Sequence, residues 1–279
     1  MNKSLKELVG KIEKLPTLPM IAQEILGIVG DSLITVDKLE KIIENDPAIS
    51  AKILSVANSA FFGFKASTST LANAIMRIGF ANVKNIALGI SLMTVIGEGK
   101  HGKTMDYQRV FNHSVSVGFF SRQFARELKL DIAEEMLISG MLHDIGYLVL
   151  NRYFPEYYRD VLTEFDSGQP LLDAEIKVFE FNHSDVGSWL SEQWNLPSNI
   201  QDSILYHHCP SKAVRHLKPV AIIHIADYII SRGILGPTKK DPRYPFDAAS
   251  LKILGLSEED MLEIENKISV DSFSADSFS

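Results

Sequence analysis

The chain has 279 residues, of which 46% are hydrophobic and 23% are charged, as in an ordinary globular protein. Its net charge of −7 leaves no basic surplus to neutralise phosphates, which argues against binding to nucleic acid or to anionic lipid. With one cysteine, no apolar signal-peptide core and no apolar run near the roughly 20 residues of a membrane span, we expect a cytoplasmic protein that does not contact membranes.

Helical periodicity dominates the first hundred residues, and strand alternation is nearly absent. Asp46 followed by Pro47 is a strong helix start, and it predicts a helix that runs to a stop at Gly63. Residues 67–97 predict two helices joined near Gly79. This spacing fits either a DNA-binding helix-turn-helix or a packed helical hairpin, and the acidic net charge favours the hairpin.

The second half is again helical, after a polar stretch at 98–106 that is the best linker candidate. One helix is predicted across 133–153, and Ser184 is a candidate cap for the helix that follows His183. We expect a proline-rich loop at 236–246 and then a short helical pair and a loose tail. The predicted division is 1–100 for an N-terminal helical part, 101–235 for a helical bundle and 236–279 for the remainder.

Polar residues interrupt the apolar faces of the rear helices. In "GMLHDIGYLVL" (140–150), His143 and Asp144 lie in what reads as the middle of a buried helix, which is costly unless each finds a partner. Five successive helical segments place His or Asp in this way. The polar residues of these segments are His113, His143, Asp144, His183, His207, His208, His224 and Asp227.

Two readings of these interruptions stay open, a metal site and a buried hydrogen-bond network. Inward imidazoles and carboxylates in a helical bundle are typical of a metal site, with iron, manganese or zinc as the candidates. Two ions are easier to accommodate than one, because His207 and His208 are adjacent and point roughly 100° apart on a helix.

The order of His113, "HD" at 143–144 and Asp227 resembles that of the HD-superfamily metal-dependent phosphohydrolases, and the "HH" at 207–208 resembles their HD-GYP branch. The front half is similar to the HDOD family, the HD-related output domain of bacterial signalling proteins. The segments that carry this resemblance are "LPTLP", "DPAISAKILSVANSAFFG", "STLANAIMRIGFANVKNIAL", "HDIGYLVL" and "IADYI", and the likeness covers roughly residues 10–235.

The resemblance implies an all-α, multi-helical HD-like bundle preceded by an N-terminal helical subdomain. It also implies a bacterial signal-transduction output module whose partners are signalling proteins and whose ligand is a nucleotide. Many HDOD members have lost metal ligands, which would leave no metal site. Here the positions that match ligands of the catalytic branch are all retained, so the resemblance implies that one or two divalent metals bind. The implied metal ligands are His113, His143, Asp144, His183, His207, His208 and Asp227.

Three departures from the catalytic branch lead us to expect a non-catalytic module. Tyr147 stands where active enzymes have a lysine, Arg109 stands where an acidic residue is expected, and no "GYP" follows the double histidine. Tyr147 brings no full positive charge to a phosphoryl group, so no catalytic residue is assigned. The alternative is a metal-dependent phosphohydrolase that acts on a nucleotide or cyclic dinucleotide.

Overall fold

In the computed structural model, the described residues are 3–10, 12, 17–27, 35–59, 62, 67–97, 105–235 and 245–268. Within these ranges every regular element is a helix, which confirms the predicted all-α fold. Gly63, most of the predicted linker, most of the 236–246 loop and the serine-rich tail lie outside them. The proposed division of the chain at residues 100 and 235 stays a prediction.

The described part of the front half contains six α-helices. They are α1 (Lys3–Val9), α2 (Met20–Gly27), α3 (Val36–Glu44), α4 (Pro47–Ala57), α5 (Leu71–Ile78) and α6 (Phe80–Gly97). The predicted start of α4 is confirmed, because the Asp46 side chain accepts hydrogen bonds from the backbone N–H groups of Ala48 and Ile49.

The predicted end of α4 at Gly63 is wrong. The helix ends at Ala57 and Asn58 is its C-cap. The Asn58 side chain binds the backbone of Thr68 in both directions, donating to its carbonyl at 2.9 Å and accepting from its N–H at 2.7 Å. This pair of hydrogen bonds ties the end of α4 to the approach to α5.

Helix α6 is the central helix of the front half. By length and composition it could cross a membrane, with a mean hydropathy of 1.4 over 18 residues, but 78% of that window is buried inside the fold. A core helix passes the same test, so α6 is weak evidence for a membrane span. The turn before it is made by Gly79 at φ 90°, where a residue with a side chain would be strained.

Ten further α-helices lie in residues 105–235 and 245–268. They are α7 (Tyr107–Glu127), α8 (Ala133–Leu142), α9 (Ile145–Tyr153), α10 (Pro155–Asp166), α11 (Leu171–Phe179), α12 (His183–Gln193), α13 (Ser198–Tyr206), α14 (Leu217–Leu235), α15 (Ala249–Leu254) and α16 (Glu258–Lys267). A single 3-10 turn, Pro210–Lys212, lies between α13 and α14.

Two local predictions in the rear half are wrong. The helix expected across 133–153 is broken, because α8 ends at Leu142 and α9 begins at Ile145, which leaves His143 and Asp144 at the junction. The cap of α12 is Asn182 and not Ser184, since the Asn182 side chain accepts from the backbone N–H groups at 184 and 185. His183 is therefore the first residue of α12.

Glycines let the helices around this junction approach closely. A Cβ on Gly140 of α8 would lie 2.6 Å from the Cα of Gly118 in α7. A Cβ on Gly146 of α9 would overlap the carbonyl oxygen of His183 and lie 2.5 Å from the backbone nitrogen of Gly187 in α12. These backbone contacts fix α7, α8, α9 and α12 around the His143–Asp144 junction.

Candidate metal centre

Five parts of the rear half each contribute polar side chains to one cluster. Helix α7 supplies His113, the α8–α9 junction supplies His143 and Asp144, and the start of α12 supplies His183. The segment after α13 supplies His207 and His208, and α14 supplies Asp227. The structure thus brings together all seven residues that the sequence singled out, and their role as metal ligands stays a prediction.

The first group in the cluster consists of His113, His143 and Asp227, whose candidate ligand atoms all lie within 4.8 Å of one another. The Nε2 atom of His113 is 3.0 Å from Asp227 Oδ1, and the Nε2 atom of His143 is 3.8 Å from the same oxygen. Ser231 donates a hydrogen bond to that oxygen at 3.2 Å, which helps to fix the carboxylate.

The second group consists of Asp144, His183, His207 and His208, again with candidate ligand atoms within 4.8 Å of one another. The Nε2 atom of His183 lies 3.4 Å from that of His207 and 3.0 Å from that of His208. Three imidazole nitrogens therefore face one point, and either a proton or a cation must lie between them.

Asp144 faces both groups. Its Oδ2 atom lies 3.3 Å from His143 Nε2 and 3.9 Å from His113 Nε2. Its Oδ1 atom lies 3.4 Å from the Nε2 atoms of both His183 and His207. One carboxylate with an oxygen toward each group would let Asp144 contribute to both sites if two metal ions bind.

Backbone carbonyls fix the orientation of two of the imidazoles. The Nδ1 atom of His143 is 2.6 Å from the carbonyl oxygen of Gly140, and the Nδ1 atom of His207 is 2.7 Å from that of Ile204. A carbonyl oxygen only accepts, so each Nδ1 donates its proton. In the neutral ring the lone pair is then on Nε2, which faces the cluster, as a metal ligand requires.

The sequence analysis missed Glu175 of α11, which orients a third imidazole. Its carboxylate is fully buried and accepts from His183 Nδ1 at 2.8 Å, from the His183 backbone N–H at 2.9 Å and from the Tyr158 hydroxyl at 2.9 Å. The available signal was its spacing, because Glu175 lies four residues from both Leu171 and Phe179 on the buried face of α11.

The charges in the cluster shift the pKa values of its groups in opposite directions. Burial lowers the pKa of His143, but Asp144 and Asp227 outweigh it and raise that pKa to about 9. Burial also lowers the pKa of His183, but Glu175 and Asp144 outweigh this effect and raise the pKa to about 10. Burial lowers the pKa of His208, and the neighbouring imidazoles of His207 and His183 lower it further.

The carboxylates of the cluster stay ionised. Burial raises the pKa of Asp144, but His143 and then the imidazoles of His183 and His207 outweigh it and hold the value well below its usual range. Burial also raises the pKa of Asp227, but the interaction with His113 outweighs it, so that the net shift of this pKa is downward. Without metal, the negative charges are thus balanced by protons on imidazoles that a metal ion would displace.

The donor set fits a divalent metal. Among the described residues, His143 Nε2 and Asp144 Oδ1 are buried and make no hydrogen bond, although each lies near an opposite partner. Buried polar atoms left without hydrogen bonds are costly, and a cation in each donor group would satisfy the atom that faces it. Imidazoles mixed with carboxylates suit iron, manganese or zinc.

The two residues that depart from the catalytic branch lie at the edge of the cluster or outside it. Tyr147 is half-buried and packs its ring edge-on against Tyr158, with ring centroids 5.2 Å apart. Arg109 is exposed, and its backbone N–H binds the Asp106 side chain. Because the Arg109 side chain turns toward solvent, the guanidinium does not compete with a metal ion for the cluster.

His224 is buried beside the cluster but is engaged elsewhere. Its Nδ1 atom lies 2.7 Å from the carbonyl oxygen of His207, and its Nε2 atom accepts from the backbone N–H of Asp247 at 2.9 Å. Both nitrogens of the ring are used in these hydrogen bonds. His224 therefore connects the segment before α15 to the residue that follows α13.

A family model for the HDOD domain matches residues 15–210. The chain belongs to the HDOD family. This match confirms the resemblance read from the sequence, because it includes the front motifs that separate HDOD from other HD proteins. It stops before Asp227, so the last carboxylate of the cluster rests on the structure and not on the family match.

Solved structures have the same fold. An HDOD domain protein of unknown function from Geobacter sulfurreducens superposes with a TM-score of 0.83 at 21% identity, covering 99% of this chain and 97% of its own. A candidate phosphohydrolase from Shewanella amazonensis SB2B gives a TM-score of 0.78 at 19% identity, with the same coverage of 99% and 97%. At these identities the likeness establishes the fold alone.

Among curated proteins, an uncharacterized protein of Treponema pallidum (strain Nichols) is 24% identical over 225 residues. The match covers 78% of this chain but only 42% of the relative. The chain thus spans less than half the length of the curated relative that it matches.

Proposed function

We propose that the chain is a regulatory output module of bacterial signal transduction whose His/Asp cluster binds two divalent metal ions. The proposal depends on one observation. Two groups of three and four candidate ligands lie side by side, and Asp144 has one oxygen facing each group. His113, His143 and Asp227 would hold one ion with Asp144 Oδ2. His183, His207 and His208 would hold the other with Asp144 Oδ1.

We infer a mainly non-catalytic role from the residues near the cluster. In an HD phosphohydrolase a pair of bound metals supplies a water of lowered pKa and neutralises charge on the phosphoryl oxygens. Here Tyr147 offers only a phenol where the catalytic branch has a cationic lysine. The remaining residues can hold and orient metal ions and keep the carboxylates ionised, which is sufficient for a metal-dependent structural state.

A second candidate function is metal-dependent phosphohydrolysis of a nucleotide or cyclic dinucleotide. Two observations favour it, the completeness of the donor set and the fold shared with the candidate phosphohydrolase from Shewanella amazonensis SB2B. The side chains of His113 and Asp144 are each 14% exposed, so the cluster is open to solvent on that side. This is the edge at which a substrate phosphate would enter.

The first experiment measures metal content by elemental analysis after expression in medium supplemented with iron, manganese and zinc. We expect close to two equivalents in the natural protein and about one in His113→Ala or in His207→Ala. Asp144→Ala should lose both, because its carboxylate faces both groups. His216→Ala, which changes a histidine outside the cluster, should retain both ions, and a metal-free natural protein would refute the proposal.

The second experiment distinguishes a regulatory module from a phosphohydrolase. The metal-loaded protein is incubated with cyclic and linear dinucleotides and added Mn²⁺, and the products are followed by chromatography. We expect no turnover above the level of Asp144→Ala. Turnover that Asp144→Ala abolishes would replace the regulatory proposal with the phosphohydrolase.

The proposal also covers the cellular location, the partners and the ligand of the module. We infer that it works in the cytoplasm with signalling proteins as partners and a nucleotide as ligand, and without nucleic acid or membrane. The acidic net charge of −7 supports the two exclusions, since it opposes contact with polyanions. The HDOD family assignment supports the partners.

A further inference from the structure

A second site lies in a cavity at the turn between α5 and α6. The cavity has a volume of about 460 Å³, within the range of small-molecule sites. Its wall includes three arginines, of which Arg77 comes from the end of α5 and Arg122 and Arg126 come from α7. Glu134 of α8 is the one carboxylate among its lining residues.

The charge of this cavity is positive in an otherwise acidic protein. Glu134 accepts from Arg122 at 3.1 and 3.2 Å and from Arg126 at 2.7 Å, so a single carboxylate serves two guanidinium groups. Arg77 adds a third positive charge on the other wall. An anion with several oxygens could bind these donors in the fork geometry that guanidinium groups prefer.

The N-terminus of α6 opens into the same cavity, where Phe80, Ala81 and Asn82 are lining residues. Its first turn has no acidic residue, and the preceding Gly79 has no side chain that could cap the free N–H groups. The α6 helix has 18 residues, so its dipole adds a partial positive charge at this end.

Asn82 supplies an independent sign of a missing partner. The residue is 95% buried, and its Nδ2 donates to the carbonyl oxygen of Ile78. Its Oδ1 is buried and accepts no hydrogen bond among the described residues. A donor beside Asn82, such as a hydroxyl or amino group of a ligand or a water molecule, would satisfy this acceptor.

We propose that this cavity binds a phosphate ester of nucleotide size. The arginines and the α6 N-terminus would hold the phosphate, and a hydroxyl or amino group of the ligand would donate to the floor of the cavity at Asn82. The aromatic side chains of Phe62 and Phe80 line the same space and offer an apolar contact for a base or sugar.

The cavity is separate from the metal cluster. His113 and Arg122 are nine positions apart on α7, which places them about 13 Å apart along the helix axis. None of the cavity-lining residues belongs to either donor group. Binding here thus requires no metal, and its test is independent of the metal proposal.

The test is calorimetric titration of chelator-treated protein with pyrophosphate, AMP and GMP. We expect at least one of them to bind with one-to-one stoichiometry. Arg126→Ala should weaken that binding about tenfold or more, which is the loss expected for a charge-assisted hydrogen bond. Arg159→Ala is the matched control, because Arg159 is also an exposed, ion-paired arginine but lies on α10 and pairs with Glu156.

Glu134→Gln separates ligand binding from a merely structural salt bridge. It removes the competing carboxylate and leaves the three arginines, so we expect tighter binding, whereas Arg126→Ala weakens it. No saturable binding up to about 10 mM of any of the three compounds would overturn the proposal. So would binding that Arg126→Ala leaves unchanged, or binding that Glu134→Gln weakens as much as Arg126→Ala does.

Discussion

At the scale of single residues, the geometry of the cluster depends on the hydrogen-bond partner of each imidazole Nδ1 atom, on the side of the ring away from the cluster. His143 and His207 donate to carbonyl oxygens in their own chain segments, whereas His183 depends on a carboxylate from another helix. Glu175 is therefore the residue whose loss would change ligand orientation without removing a ligand. Its effect on the metal site can be tested apart from that of the ligands.

We predict that Glu175→Gln weakens metal affinity by about 10- to 100-fold. The amide retains the size of the side chain, but it replaces one acceptor oxygen by an NH₂ group that cannot accept from His183 or Tyr158. Competition against a metal-binding dye measures the affinity. Glu192→Gln, at an exposed position of α12, is the control and should leave the affinity unchanged.

If Glu175→Gln binds metal as tightly as the natural protein, the carboxylate serves only to fill the core. Its effect would then be confined to the melting temperature. The affinity measurement is decisive because a purely structural role would not change it in a protein that still folds.

At the scale of elements, the cluster depends on the distance between α9 and α12. Gly146 lies against the backbone of residues 183 and 187, so the helix that begins just after Asp144 touches the helix that begins with His183. This contact sets the separation of two candidate ligands through main-chain packing. It links the stability of the helix pair to the geometry of the cluster.

We predict that Gly146→Ala destabilises the protein by about 1–3 kcal/mol and also weakens metal affinity. The new Cβ would overlap backbone atoms of α12, which cannot move aside as a flexible side chain can. Chemical denaturation and metal titration measure the two effects. Gly27→Ala in α2, where a Cβ would meet nothing within 4 Å, should change neither quantity appreciably.

The start of α4 allows a prediction that is independent of metal. Asp46→Ala should cost about 1 kcal/mol in the free energy of unfolding, because it removes the acceptor for two N–H groups in the first turn. Urea denaturation measures the loss. Asp46→Asn retains an acceptor and should restore most of the stability, and equal losses in the two variants would contradict the capping role.

At the scale of the whole molecule, we expect metal binding to be coupled to folding. The seven residues of the cluster come from five parts of the chain that meet only when the rear half is folded. Metal that binds the folded state should therefore stabilise it, by about 2.7 kcal/mol at a free concentration of 100 times the Kd.

We predict that chelation lowers the Tm of the natural protein by about 5 °C or more, and that restoring the metal reverses the change. His143→Ala lowers the Tm whether or not metal binds, because it alters a buried side chain, so that loss alone is uninformative. The decisive measurement is the difference with and without chelator, which should vanish in Asp144→Ala. An equal difference in Asp144→Ala would mean that the metal acts elsewhere.

The sequence by itself determined the helical class, the start of α4, the turn at Gly79 and the identity of the seven polar residues. These features are local or compositional: helix periodicity, a cap followed by proline, and charged groups at positions where apolar ones are expected. The HDOD family was likewise evident from short front-half motifs. Each of these signals lies within a few consecutive residues, so no tertiary information was needed.

Only the tertiary structure decided how these residues meet. The break at His143–Asp144 follows no proline signal, and the position of Asp144 between the two donor groups depends on His113, His183 and His207, which lie 31 to 63 residues away along the chain. The spacing of Glu175 places it on the apolar face of α11, but only the packing of α11 against the start of α12 shows that it accepts from His183. The physical reason is that ligand geometry and burial arise from contacts between distant helices, which helix periodicity does not encode.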